Sequence, residues 1–155
     1  MKRWTWILCG LLAFGFMEKT GAQVEVLQPV QLLQVQKEKG IIWLKTDTED
    51  FGSGESLQAA MKNLQETSEK RIFLETADML ILGENTQELL PELRTLLRPA
   101  VQVCGSKDEL DLAQAAAYLK NHRSSITLAG ITEEERKLPE LKAEGGRLRL
   151  AGNQR

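Results

Sequence analysis

GSGESLQAAMKNLQ, residues 52–65, admits two readings. Two glycines and two small hydroxyls ahead of a helical pattern suit either a phosphate-cradling loop or the plain start of a helix. A P-loop needs Lys followed by Ser or Thr directly after its last glycine. Here Gly54 is followed by Glu55. A carboxylate at a helix N-terminus suits the helix dipole but repels a phosphate. The three spaced glycines of a dinucleotide fold are also missing. The stretch therefore reads as a flexible loop, DTEDFGSG (47–54), and a capped helix beginning near Glu55. Leu57, Ala60, Met61 and Leu64 recur at helical spacing on one face, with Gln58, Lys62, Gln65 and Glu66 on the other.

Upstream, Gln23–Lys37 alternates in part and reads as a strand, with Pro29 marking a break or an edge position. KEKG (37–40) reads as a hairpin turn in which Gly40 takes a positive φ, and IIWLKTD (41–47) as the return strand. Downstream, RIFLETADMLILG (71–83) reads as a strand, a kink around Thr76–Asp78, and a second strand ending at Gly83. A helix is expected over about 87–97, capped by Asn85 or Thr86, with Leu89, Leu93, Leu96 and Leu97 inward. Pro91 fits only its first turn, and Pro99 stops it. AVQVCG (100–105) reads as a buried strand. Ser106 and Glu109 form a capping-box pattern for a helix to about Asn121, with Leu112, Ala115, Ala116 and Leu119 inward. Ser124–Ile131 reads as a short helix or turn, Thr132–Glu135 as a second capping box, and 145–152 as a last strand. Hairpins with interspersed helices predict an α+β fold, one mixed sheet covered by helices. No internal repeat is visible.

The chain has 155 residues and a net charge of −2. Residues 1–22 carry Lys2 and Arg3, then an apolar run from Trp4 to Met17, then small residues at Gly21 and Ala22. That is the three-part pattern of a secretory signal, and cleavage after Ala22 is expected. An uncleaved N-terminal anchor is the alternative. The run falls short of the roughly 20 residues a spanning helix needs. Loss of Lys2, Arg3 and Lys19 together with Glu18 removes two net positive charges and leaves 23–155 at −4. An acidic chain with scattered Lys and Arg is not a nucleic-acid binder, and it is a poor electrostatic ligand for anionic lipid.

Chemistry-bearing residues are few. Cys104 is the one cysteine outside the signal, which excludes an internal disulfide and a cysteine zinc site. On a buried strand it reads as a small apolar residue. His122 is the sole histidine, and at a helix end it reads as a C-terminal cap rather than a base. Glu133–Arg136 reads as a solvated face. No catalytic, cofactor-binding or metal-ligating residue is assigned, and no cofactor is expected.

Segment 54–106 resembles the N-terminal domain of the Ger(x)C family, the C subunits of spore germinant receptors. Ser56, Leu57, Ala60, Asn63 and Leu64 match that domain's S-L-x-x-A-x-x-N-L helix. Ile72–Leu74 and Leu80–Glu84 match its following strand pair, with Glu75–Ala77 standing where a histidine is usual. Leu97, Arg98 and Val101–Val103 match the helix end and next strand, Ala115–Leu119 a later helix, and Leu138–Pro139 the residues before the last strand. The resemblance spans about 110 residues, and its specificity lies in the order of the motifs. Family members are normally lipoproteins; Cys9 lies too early in the apolar run, without a small residue before it, to make a lipobox.

The resemblance implies a non-enzymatic, exported protein-interaction module acting in spore germination. Its expected place is the outer face of the cytoplasmic or spore membrane, otherwise the medium. Its expected partners are proteins, membrane subunits of a germinant receptor among them, and peripheral membrane association is compatible with this. The alternative is a generic exported envelope or solute-binding domain unrelated to germination.

Overall fold

A computed structural model of the chain describes residues 27–132 and 137–152. Residues 1–22, expected as a signal, the Gln23–Val26 part of the first expected strand and most of the second expected capping box lie outside the described residues. The fold is α+β, as the sequence predicts. Its elements are β1 (Leu27–Pro29), β2 (Leu32–Glu38), β3 (Ile41–Thr46), β4 (Phe51–Gly54), α1 (Leu57–Thr67), β5 (Arg71–Phe73), β6 (Met79–Leu82), α2 (Leu90–Leu96), β7 (Gln102–Gly105), α3 (Leu112–Asn121), β8 (Glu140–Glu144) and β9 (Arg147–Ala151). A seven-stranded mixed sheet runs in the order β4-β3-β2-β6-β7-β8-β9, and β1 and β5 form a small parallel pair. The centre, β2-β6-β7-β8, is parallel, and each end of the sheet is antiparallel.

The strand period of two sorts the core into two layers. Leu33, Val35, Leu80, Leu82 and Val103 point to one face, where Leu57, Ala60 and Leu64 of α1 and Leu93 of α2 cover them. Leu32, Met79, Ile81 and Cys104 point to the other, under Leu112, Ala115, Ala116 and Leu119 of α3. Strands buried on both faces read as continuous apolar runs, which is why MLIL (79–82) shows no alternation.

The KEKG turn forms as expected, with Lys39 at φ 50° and Gly40 at φ 84° in a two-residue loop between paired Glu38 and Ile41. The 71–83 segment breaks where expected: β5, a 3-10 turn at Leu74–Thr76, then β6. Thr76 fixes the break, its Oγ1 accepting from Val30 N–H at 3.1 Å.

Leu96, expected inward on the second helix, is exposed, and four expectations of secondary structure are corrected. First, FGSG is not loop but the edge strand β4. Its glycines lie where α1 crosses the sheet most closely: a Cβ at Gly52 would stand 2.4 Å from Leu64 N, and one at Gly54 2.5 Å from Ala60 N. The two glycines that first suggested a phosphate loop are there for close helix-on-strand packing. Second, Ser106 does not open the third helix. It is still in the sheet ladder, its N–H donating to Leu82 C=O at 3.0 Å, and its Oγ accepts from Asp108 N–H in a tight turn. The cap is Asp111, which accepts from Gln114 N–H at 3.0 Å. Third, Thr86 stands at the N-cap position of the helical run, but neither its side chain nor that of Asn85 caps it. Asn85 is left-handed at φ 58°, and Thr86 Oγ1 donates back to Gly83 C=O at 2.8 Å. A 3-10 turn at Gln87–Leu89 follows, so α2 begins only at Leu90, with Pro91 in its first turn. Fourth, Glu140–Glu144 is a strand the sequence reading did not mark. Only Leu141 of β8 is fully buried, so its apolar pattern is too short to be seen.

Candidate functional site

The parallel strands β6 and β7 are followed by helices on opposite faces of the sheet: α2 packs on one, α3 on the other. Chains that part in this way leave a crevice outside the carboxyl ends of the strands, the usual ligand position in open parallel sheets. Here it is a broad open groove of about 1160 Å³, floored by Leu82, Gly83 and Gly105 and walled by Ile126, Leu138 and Ala151.

The outer edge of β7 shapes one wall. Its first half bonds Ile126–Leu128, with Val103 N–H donating to Ile126 C=O and Leu128 N–H to Val101 C=O. Its last residue, Gly105, donates instead to Pro139 C=O at 2.8 Å and pairs with β8. Two segments thus share one strand edge, and the groove opens between them. Ser124 sits at this junction, buried, its Oγ donating to Val103 C=O at 2.6 Å.

The rim carries charge of both signs. Lys107 Nζ lies 2.8 Å from Glu84 Oε1. The hydrogen bond and attraction of Lys107 hold the Glu84 carboxyl below its usual value. Glu84, with a smaller contribution from Glu140, raises the Lys107 ammonium in turn. Both groups are well exposed, so the pair adds little to stability. Lys137 and Glu140 add a second pair of opposite charges to the lining. Mixed charge beside an apolar floor suits a small polar or zwitterionic solute or a protein loop. Glu84 belongs to the Leu80–Glu84 motif, but nothing local in the sequence marks it as a site residue, because only the partnering of β6 with β7 brings it to Lys107.

Cys104 is 2 % exposed under α3, and burial pushes its thiol up to about 12. At neutral pH the thiol stays protonated and is not a nucleophile. His122 is the C-cap of α3, as the sequence suggests. Its Nδ1 lies 3.1 Å from Tyr118 C=O, and its ring stacks on Tyr118 with centroids 4.2 Å apart. The structure does not bring Cys104 and His122 into one site: the first is core, the second surface. Glu133–Arg136 lies outside the described residues. Among the described residues no group of three or more His, Cys, Asp or Glu side chains is placed to hold a metal ion, and no helix is long and apolar enough to cross a membrane.

The S-L-x-x-A-x-x-N-L residues each have a structural task. Ser56 caps α1, accepting from Ala59 N–H at 3.1 Å. Leu57 and Leu64 are buried in the core, and Ala60 packs on the two glycines of β4. Asn63 reaches over the sheet edge, where its Oδ1 accepts from Ser53 N–H at 3.0 Å. Thr67 adds a second seal, its Oγ1 donating to Phe51 C=O at 2.9 Å. Side chains of α1 thus occupy backbone groups that β4 would otherwise offer to another strand. Comparison of the chain with family models, with curated proteins and with solved structures gave no match.

Proposed function

We propose that this chain is an exported, non-enzymatic protein-interaction domain of the Ger(x)C N-terminal kind, acting in spore germination on the outer face of the membrane. The supporting observation is the ordered resemblance over 54–106, whose helix residues Ser56, Leu57, Ala60, Asn63 and Leu64 cap, pack and seal one corner of this fold. Residues with such tasks carry a fold rather than a reaction. The partner in this reading is protein, membrane subunits of a germinant receptor in the first place, and residues 1–22 are the export signal.

The experiment is deletion of the gene in the bacterium that carries it, with germination scored against a panel of germinants. Slowed or lost response to at least one germinant is expected, restored by the gene in trans. Normal sporulation and normal germination with every germinant would contradict the reading. N-terminal mass spectrometry on fractionated sporulating cells adds the location: a mature Gln23 start in the spore membrane fraction is expected.

The groove at the ends of β6 and β7 favours a second reading, an exported envelope domain that binds a solute unrelated to germination. A Gln23 start in the medium of growing cells, with none in spores, would select it.

A further inference from the structure

Among the described residues, the far end of the sheet lacks the seal found at β4. The hairpin β8–β9 turns through Gly145 and Gly146, at φ 58° and 77°, between paired Glu144 and Arg147. In such a two-residue hairpin the flanking pair exchanges hydrogen bonds, and the ladder then alternates. Arg147 and Arg149 therefore bond inward to β8, while the backbone groups of Leu148 and Leu150 turn outward. One outward group is occupied: Leu150 N–H donates to the Tyr118 hydroxyl of α3 at 3.2 Å. Among the described residues nothing else is bonded to this edge.

The side chains of β9 are sorted as sharply as its backbone. Leu148 and Leu150 are half-buried toward α3, against the cluster that holds Leu141. Arg147 and Arg149 are exposed on the opposite face. Arg149 sits directly across from Lys142, a like charge, and Lys142 is itself engaged by Glu140 at 3.2 Å. Like charges directly opposite are unfavourable, so the vacant side of Arg149 favours an acidic neighbour.

We propose that the outer edge of β9 is a strand-addition site for an extended protein segment that alternates apolar and acidic side chains, with the Tyr118 hydroxyl as its latch. The incoming backbone bonds Leu148 and Leu150, and one of its carbonyls replaces Tyr118 on Leu150 N–H. Its apolar residues continue the Leu148–Leu150 row, and its carboxylates lie across from Arg149 and Arg147. Backbone bonds supply affinity in this mode and alternate side chains supply selectivity. A second copy of β9 is a poor occupant, because antiparallel self-pairing centred on Arg149 would set arginine against arginine. The proposal specifies how the interaction module proposed above would engage a partner. Its test is made in vitro, so its failure would leave the germination result standing, and the reverse.

The experiment titrates a blocked Thr-Val-Glu-Val-Glu-Val-Thr peptide into ¹⁵N-labelled chain starting at Gln23, which contains every described residue. The control peptide has lysine for glutamate. Saturable shifts at the Leu148 and Leu150 amides are expected, with the lysine peptide at least about tenfold weaker and the difference shrinking in high salt. Tyr118→Phe removes the competing hydroxyl, so the glutamate peptide should bind about two- to tenfold tighter. Arg149→Glu, on an exposed side chain, should abolish most of the preference for the glutamate peptide, with Arg147 left to face one carboxylate. Equal binding of both peptides, shifts confined to the groove residues, weaker binding by Tyr118→Phe, or dimerisation through β9 would each overturn the proposal. Arg149→Glu decides the matter alone if the tyrosine variant fails to fold.

Discussion

At the β4 end of the sheet, Asn63 and Thr67 lean out of α1 and occupy Ser53 N–H and Phe51 C=O. At the β9 end, α3 sends over only the Tyr118 hydroxyl, to Leu150 N–H. The difference follows from how each helix meets its strand. Gly52 and Gly54 let α1 settle onto β4 until side chains as short as asparagine and threonine reach the edge. β9 has no glycine within its span, and half-buried Leu148 and Leu150 lie between it and α3, so only a long tyrosine reaches. A strand edge left unpaired is a liability that proteins usually blunt. Among the described residues one edge is closed by two side chains, Asn63 and Thr67, and the other by one removable bond and two arginines.

The largest effect should come from filling the close approach at β4. Gly54→Ala would set a methyl group within 2.5 Å of backbone nitrogen in α1, and Gly52→Ala within 2.4 Å. Backbone cannot swing aside as a flexible side chain does, so each should cost about 3 kcal/mol or more in urea unfolding. Gly146→Ala at the other end meets open space and only the strain of φ 77°, for about 1 kcal/mol. Equal losses at the two ends would erase the distinction drawn between them.

Asn63→Ala comes next. It strips the partner from Ser53 N–H and should cost about 1 kcal/mol, with faster exchange of the Ser53 amide and a new tendency to associate through β4. Unchanged Ser53 exchange in this variant would show that the seal is not Asn63.

The smallest effect belongs to the groove rim. Glu84→Gln removes the partner of Lys107, and both groups are exposed. The carboxyl is held below 4.5, so its contribution is present above that pH and is lost as pH falls through the lowered value. The ammonium is raised above 10.5, so its contribution is present below that pH and is lost as pH rises through the raised value. Wild type and Glu84→Gln should therefore differ slightly between these limits and converge outside them. A gap that widens in acid would contradict the assignment.

Much of this architecture is legible in the sequence because it rests on local rules. The 57–67 helix, the KEKG turn and the break near Thr76 follow from spacing, from Gly40 and from the apolar runs on either side of the break. The parts that are not legible depend on distant residues. Ser106 and Glu109 make a sound capping box on paper, but Ser106 N–H is claimed by Leu82, 24 positions away, and the cap passes to Asp111. FGSG reads as loop until α1 is placed on top of it. β8 offers one buried leucine and becomes a strand only because β7 and β9 flank it. The groove is of the same kind: Glu84 and Lys107 stand 23 positions apart and meet because β6 and β7 end side by side. Cys104 and His122 behave as the sequence suggests, since burial and helix position decide them.

The most direct test of a sheet sealed at one edge and open at the other is residue-resolved amide hydrogen exchange on the chain from Gln23. The account predicts a Ser53 amide protected by Asn63, a Leu148 amide exchanging close to the rate of an open chain, and Leu150 between them. Addition of the glutamate peptide should protect Leu148 and leave Ser53 unchanged. Equal protection of Ser53 and Leu148 in the free protein would contradict it, because β9 would then already be covered.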